Sequence, residues 1–398
     1  MLITNYGFGG AQKVFADHSI LFAEKAVVKE CVFNDWNQKR LNSTPNNYKS
    51  LDVPGGGMLF TRTYHFFVRI HRFRKLKKEF KPHITISHLE GADYVNLLSG
   101  GSDKKIIVIH GSKVDDKNIA GLLGWVRHKI LIPWLYKKAD KIITVSKGIK
   151  DEMNEIFGLP PEKVIALPNY FNCYEINKRS TEKADAKLLP LFTGKTFKLI
   201  TYARLTAQKN LRVLFPVLAT LKSMGHHVQL FIIGDGELKD DLVNEATQYG
   251  KVWTVWDNQP ETPDADIFFL GYHYNPHVFL KHADLYVMSS LWEGFPMALC
   301  EAMACKIPTV SSDCKTGPRE IFDADAQHIR YGITRYGALL PMIQDTLDEN
   351  AINEWAATIS SLMQDRSQLQ AIAENAWDRV KKYDESVMGQ KWLNEYLG

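Results

Sequence analysis

The sequence predicts an α/β protein of two doubly wound, Rossmann-like domains facing a central cleft. Three observations carry this. The chain has 398 residues, too many for one ordinary core. Short runs of Ile and Val alternate with helical patterns, which describes a parallel sheet covered on both faces. Charge is uneven: residues 1–180 hold 28 Lys and Arg against 17 Asp and Glu, a net of +11, whereas the whole chain carries +4, leaving −7 for the rest. Such asymmetry points to two domains, the basic one facing something anionic.

The elements follow in order. Leu2-Ile3-Thr4 leads through Gly7-Phe8-Gly9-Gly10 into a helix near 11–26, and Val27–Phe33 reads as a strand. A helix is expected over 68–80, strands at 83–87 and 106–110, a helix near 121–138 and a strand at 141–145. In the second half strands are expected at 197–203, 228–233, 267–270, 285–288 and 308–311, with helices between them. The polar stretch around 174–196 reads as a linker. In sheets of this kind ligands bind at the carboxyl ends of strands.

Composition narrows the class. The 45% apolar and 24% charged content is that of a soluble globular protein. The start lacks a basic region followed by an apolar run, so no signal peptide is read, and no segment approaches 18 consecutive apolar residues. The five cysteines read as reduced, buried hydrophobes of a cytoplasmic protein. No metal-ligand pattern and no cofactor is read.

The most informative stretch is Ser289–Ala302. Glu293 and Glu301 flank Gly294-Phe295-Pro296, a loop that turns into a helix, with Pro placed at the first helical position. The N–H groups of Met297, Ala298 and Leu299 would then form a seat for phosphate. Carboxylates accept hydrogen bonds from sugar hydroxyls, so a phosphate seat between two of them suits a nucleotide sugar. The plain alternative is a strand–loop–helix with two solvated Glu.

Arg204 and Lys209 follow a strand and would sit at its carboxyl end, a planar fork and a point charge for phosphate. Gly10 ends a glycine loop that would let backbone approach a diphosphate, but Gln12 stands where a dinucleotide fingerprint needs its third Gly. Asp35 after the second strand leaves a dehydrogenase reading open. His110 ends an apolar strand and would hydrogen-bond a sugar or act as a base. Gly234 and Gly271-Tyr272 end strands where the backbone could meet a nucleobase; simple turns are the alternative. Residues 68–81 carry seven basic residues against one Glu, and 121–138 mixes Trp125 and Trp134 with Lys and Arg. Basic helices with interfacial aromatics suit an anionic membrane surface; a solvated helix is the alternative. No nucleic-acid-binding pattern is present.

On these residues the sequence resembles family 4 of the retaining glycosyltransferases, the glycosyl transferases group 1 with the GT-B fold. Val145–Ile149, Leu167-Pro168-Asn169, Arg204–Asn210, Phe269-Leu270-Gly271, Ser290–Ala302 and Thr316–Glu320 resemble that family's motifs. Gly9–Val14 matches more loosely. The resemblance implies that Arg204 and Lys209 bind the donor diphosphate, Glu293 the sugar hydroxyls and Glu301 the ribose. It implies backbone contacts at Phe295, Met297 and Ala298, Gly10 beneath the diphosphate, and His110 near donor sugar and acceptor. The reading is therefore transfer of a hexose or N-acetylhexosamine, from a UDP-sugar in preference, to a hydroxyl of a glycan or lipid-linked acceptor in cell-surface polysaccharide synthesis. Residues 1–175 would form the acceptor domain, with a helix near 383–398 packing back on it, and 190–382 the donor domain. A GDP-mannose-dependent mannosyltransferase, a nucleotide-sugar epimerase or phosphorylase on the same fold, and an inactive nucleotide-binding scaffold are the alternatives. Cytoplasmic location, peripheral at the membrane, is expected.

Overall fold

The computed structural model describes residues 1–7, 9–35, 47–114, 121–257, 264–325 and 327–397. Phe8 of the glycine loop lies outside them. The chain divides into two compact units, Met1–Tyr170 with Ser386–Gly398, and Phe171–Glu385.

Among the described residues the first unit holds seven parallel strands: β1 (Leu2–Ile3), β2 (Lys29–Val32), β3 (Asn47–Ser50), β4 (Ile84–His88), β5 (Lys104–Ile109), β6 (Lys141–Thr144) and β7 (Val164–Ala166). Their order is β3-β2-β1-β4-β5-β6-β7. The chain moves outward from β1 and then returns to β4 on the other side, so the topological switch point lies between β1 and β4. β5 is buried on both faces from Ile106 to Ile109, which is why it reads as a continuous apolar run. The helix Glu385–Leu397 packs in this unit: Trp392 donates from Nε1 to the Pro168 carbonyl (2.8 Å) and meets His18 at 4.2 Å between ring centroids.

Among its described residues the second unit has eight strands: β8 (Phe197–Tyr202), β9 (Val228–Ile233), β10 (Val252–Thr254), β11 (Ile267–Gly271), β12 (Leu285–Met288), β13 (Thr309–Ser312), β14 (Gly332–Ile333) and β15 (Ala338–Leu340). The order is β10-β11-β9-β8-β12-β13-β15-β14, with β14 antiparallel to β15 and the rest parallel. Here the switch point lies between β8 and β12, which pair directly through Leu199–Leu285 and Ile200–Tyr286. The core joins β8, β9 and β12 to Phe215, Leu218, Trp355 and Ile359 from flanking helices.

Three sequence expectations need correction. The stretch near 174–196 is not a free linker. Asn172 caps a helix Cys173–Ser180 by accepting from the Glu175 N–H (2.8 Å), and Phe192 is buried and stacked on Phe231 at 4.3 Å. The helix expected at 68–80 begins at Leu59. The helix over 121–138 is interrupted by a π turn at Arg127–Leu131 ahead of Pro133, whose missing N–H breaks the regular ladder. All five cysteines are free and buried.

Candidate active site

Lys209 and Glu293 meet at the switch point of the second unit. The loop after β8 carries Arg204 and Lys209, and the loop after β12 carries Glu293. Because β8 and β12 are lateral neighbours, these loops touch, and several hydrogen bonds stitch them together. The Leu291 N–H donates to the Gln208 carbonyl (2.9 Å), and Gln208 Nε2 donates to the Trp292 carbonyl (2.7 Å). Ser289 Oγ donates to the carbonyls of Lys209 and Asn210 (3.0 and 3.1 Å). On this frame Lys209 Nζ lies 2.5 Å from Glu293 Oε1. The Glu293 side chain is 8% exposed and that of Lys209 17%, so the pair is largely shielded from water. Arg204 is exposed and engages no side chain among the described residues.

Glu301 sits in the helix Met297–Ala304, 8% exposed. Neither carboxylate is solvated, against the plain alternative for this segment. Tyr202 at the end of β8 donates from its hydroxyl to Glu301 Oε2 (2.5 Å) and contacts the Ala298 carbonyl at 3.0 Å. His277 Nε2 stands 3.3 Å from the same carboxylate oxygen. Burial and the Glu301 charge push the Tyr202 phenol well above its ordinary range, so it stays a donor. Tyr202 and His277 were not among the residues singled out in the sequence. No local motif marks them, since Tyr202 lies 99 residues from Glu301.

The helix start differs in detail from the expectation. Pro296 is the N-cap, with φ −71° and ψ 91°, and the helix begins at Met297. The Leu299 N–H already donates to the Pro296 carbonyl (3.1 Å), so the open donors of the first turn are those of Met297 and Ala298. Phe295 buries its ring edge-on against Tyr383 at 5.1 Å, and Thr316 Oγ1 donates to the Glu293 carbonyl (2.5 Å). Gly294 is buried in the same loop. Gly317 has φ 99°, and a Cβ there would meet Pro296 Cδ at 2.4 Å, so the loop after β13 needs glycine to pack beneath the Glu293 loop.

Gly234 has a packing reason of its own. Its φ is 147°, and a Cβ would stand 1.9 Å from the Ala203 carbonyl oxygen, so only glycine lets the loops after β8 and β9 close together. Its N–H is committed to the Gly271 carbonyl (2.9 Å). Tyr272, beside it, is half exposed.

Gly10 and His110 belong to the first unit. Gly10 opens the helix Gly10–Ala23, and a Cβ on it would meet open space. His110 follows β5, half-buried, with Nε2 2.8 Å from His88 Nδ1. Burial, reinforced by the Lys113 charge, lowers its pKa to about 3, so it is neutral. The loop beyond it is gripped by Glu152, which accepts from Ser112 Oγ (2.6 Å) and from the N–H groups of Lys113 (2.5 Å) and Val114 (3.1 Å). Glu90 takes both arms of Arg127 (2.7 and 2.6 Å) and Lys113 (3.3 Å). Burial opposes its charge, but those two cations bring its pKa down to about 2.

Two Asp-x-Asp spacings occur in the second unit. Asp264 and Asp266 pair with Lys251 and Lys222, and Asp323 and Asp325 with Arg379 (3.3 Å) and Arg319 (3.0 Å). Each carboxylate therefore already has a cationic partner.

Comparison with known proteins agrees with this architecture. Residues 190–379 match the family of glycosyl transferases group 1, and residues 32–173 match Glycosyltransferase Family 4. An uncharacterized glycosyltransferase of Methanocaldococcus jannaschii is 27% identical over 354 residues, 81% of each chain. The N-acetylgalactosamine-N,N'-diacetylbacillosaminyl-diphospho-undecaprenol 4-alpha-N-acetylgalactosaminyltransferase of Campylobacter jejuni is 22% identical over 400 residues, 100% of this chain and 99% of that one. Anabaena HepE, solved in complex with UDP and glucose, aligns with a TM-score of 0.70 at 16% identity, covering 99% of this chain and 98% of that one. Two parallel-sheet α/β units of the GT-B class, matched along most of their length by these two family models, make the chain a glycosyltransferase of family 4, group 1.

Proposed function

We propose that the protein transfers a hexose or N-acetylhexosamine from a nucleotide sugar to a hydroxyl of a glycan or lipid-linked acceptor with retained anomeric configuration. The observation that carries this is the Lys209–Glu293 pair at the switch point, with Arg204 on the same loop and Glu301 held nearby by Tyr202 and His277. Arg204 and Lys209 neutralise the donor diphosphate, and the N–H groups at Met297 and Ala298 add to that field. Glu293 binds sugar hydroxyls and Glu301 the ribose. For Gly10 and His110 the proposed roles are those the resemblance implies. In the reaction the bond from the anomeric carbon to the phosphate oxygen breaks and a bond to the acceptor oxygen forms. The acceptor proton passes to the leaving phosphate oxygen. Negative charge grows on that phosphate, where fixed cations stabilise it most. They do this without a metal ion, and no cofactor is needed.

A UDP-sugar is the favoured donor, supported by the UDP held in Anabaena HepE. A lipid-linked acceptor in cell-surface polysaccharide synthesis is supported by the diphospho-undecaprenol acceptor in the name of the Campylobacter jejuni enzyme. A second unit for the donor and a first unit for the acceptor fit this reading. A cytoplasmic protein bound reversibly at the inner membrane face also fits it. The helix Leu59–Phe80 exposes Phe60, Tyr64 and Phe67 near its start and Arg74, Lys75 and Lys78 further on, and Trp125 and Trp134 are exposed as well. Lys77 is not part of that surface: it is buried against Asp103 at 2.8 Å. Among the described residues no helix is long and apolar enough to cross a membrane. Thermal-shift screening of UDP- and GDP-sugars tests the donor. Wild type should gain stability with a UDP-sugar and the Glu301→Ala variant should not; equal shifts in both would exclude Glu301 from the donor site.

A further inference from the structure

Two histidines of the first unit share one proton, and their surroundings decide which owns it. His88 closes β4, and in the parallel pairing it stands opposite Val108, two residues before His110. With a period of two, both rings rise from the same sheet face. They stack at 5.0 Å with 23° between planes, and His88 Nδ1 lies 2.8 Å from His110 Nε2. A neutral imidazole has one donor and one acceptor, so ownership of the shared proton fixes the far nitrogen of both rings. Burial holds both rings below the usual histidine range, and they are neutral.

His88 is fully buried beside Phe15 (5.2 Å) and His18 (5.5 Å), and its Nε2 has no hydrogen-bond partner among the described residues. If His110 owned the shared proton, His88 would carry its own on Nε2, burying an N–H with nothing to accept it. If His88 owns it, only a lone pair is stranded. Buried orphan N–H groups are the rarer of the two in folded proteins. His110 is half-buried, and its Nδ1 meets no partner among the described residues.

We infer that His88 is a positioning residue whose Nδ1–H donates to His110 Nε2, so that His110 presents Nδ1–H, a hydrogen-bond donor, from the carboxyl end of β5. His110 then gives a hydrogen bond to a substrate oxygen and does not take the acceptor's proton. This rests on the proposed transfer reaction and chooses between the two roles, donor or base, that the sequence allows His110.

The test is a long-range ¹H–¹⁵N spectrum of protein labelled with ¹⁵N-histidine at neutral pH without ligand, the His110 signals being assigned by their loss in His110→Ala. Both rings should show a protonated Nδ1 and a bare Nε2. A protonated Nε2 on either ring overturns the inference. His88→Asn keeps an N–H near the Nδ1 position and should hold both the His110 spectrum and kcat close to wild type. His88→Leu should lower kcat by about 10- to 100-fold, by analogy with the loss of a group hydrogen-bonded behind a metal-ligating histidine, with KM for the nucleotide sugar unchanged. An unchanged kcat in folded His88→Leu also overturns it. If leucine unfolds the chain, the asparagine spectrum decides: His110 kept as Nδ1–H supports the inference, and His110 as Nε2–H refutes it. The spectra need no donor, so a wild type that used no nucleotide sugar would remove the proposed reaction while the tautomer was still decided.

Discussion

Glu293→Ala should cost both stability and turnover, whereas Arg204→Ala should cost turnover alone. Glu293 is 6% exposed and holds Lys209 at 2.5 Å. Truncating it strands a shielded ammonium. Breaking a fully buried pair costs about 3–5 kcal/mol. Lys209 keeps 17% of its side-chain surface, so water recovers part of that, and the range for one charge-assisted hydrogen bond applies, about 1.5–3 kcal/mol. For a unit the size of residues 171–385, each kcal/mol moves Tm by about 2–4 °C, which gives a drop of roughly 3–12 °C. Arg204 is exposed with no side-chain partner among the described residues, so its removal should stay within about 0.5 kcal/mol of wild type. Both variants should lose about 100-fold or more in kcat, the cost of one lost transition-state contact. Glu293→Gln keeps the shape and a neutral acceptor and should fall between. Thermal melts by circular dichroism and steady-state release of nucleoside diphosphate read the two effects. Wild-type melting in Glu293→Ala would show that the pair carries no weight, and near-normal turnover in Arg204→Ala would remove the proposed phosphate site.

Acid should destabilise the first unit through His18. Burial holds this ring neutral and its pKa well below 6.5, while the unfolded chain takes a proton near 6.5, so stability is lost as pH falls below that value. His18→Phe should flatten the dependence by up to about 1.4 kcal/mol per pH unit, measured from urea midpoints on either side of pH ~6.5; an unchanged slope would contradict it. Joint reversal of Arg74, Lys75 and Lys78 to Glu should abolish sedimentation with anionic liposomes at low salt, each charge being worth about 1 kcal/mol there, and leave donor binding intact. Wild type that never sediments would favour a soluble acceptor. Transfer should continue in EDTA, and a loss restored by magnesium or manganese would show a metal requirement.

The fold was largely legible because its strands are marked locally. Ile106–Ile109 and Leu285–Met288 are apolar runs buried on both faces, and such runs declare a parallel sheet. Asn47–Ser50 was not legible, being a polar edge strand, half or fully exposed. The helix Cys173–Ser180 hides in a polar stretch because its buried face is only Cys173, Ile176 and Ser180. In the candidate site, Arg204, Lys209 and Glu293 stand in loops, and Glu301 in the helix that follows, within recognisable motifs. Their partners do not: the Lys209–Glu293 pair spans 84 residues of sequence. Tyr202 ends a strand like any other aromatic, and nothing local ties it to Glu301. Lys77 shows the same limit from the other side, since its neighbours Lys75 and Lys78 are exposed while Asn96, the Gly100 carbonyl and Asp103, 19 to 26 residues on, draw it into the interior.

The central claim is that this chain transfers a sugar from a nucleotide donor by means of the second unit's switch-point loops. The most direct measurement is NMR of the anomeric proton during incubation of purified protein with UDP- and GDP-sugars and a hydroxyl acceptor. The account predicts a glycoside of the donor's own anomeric configuration, with nucleoside diphosphate released only when acceptor is present and release suppressed in Arg204→Ala. An inverted product, an epimerised nucleotide sugar without transfer, or release indifferent to acceptor and to Arg204 would contradict it.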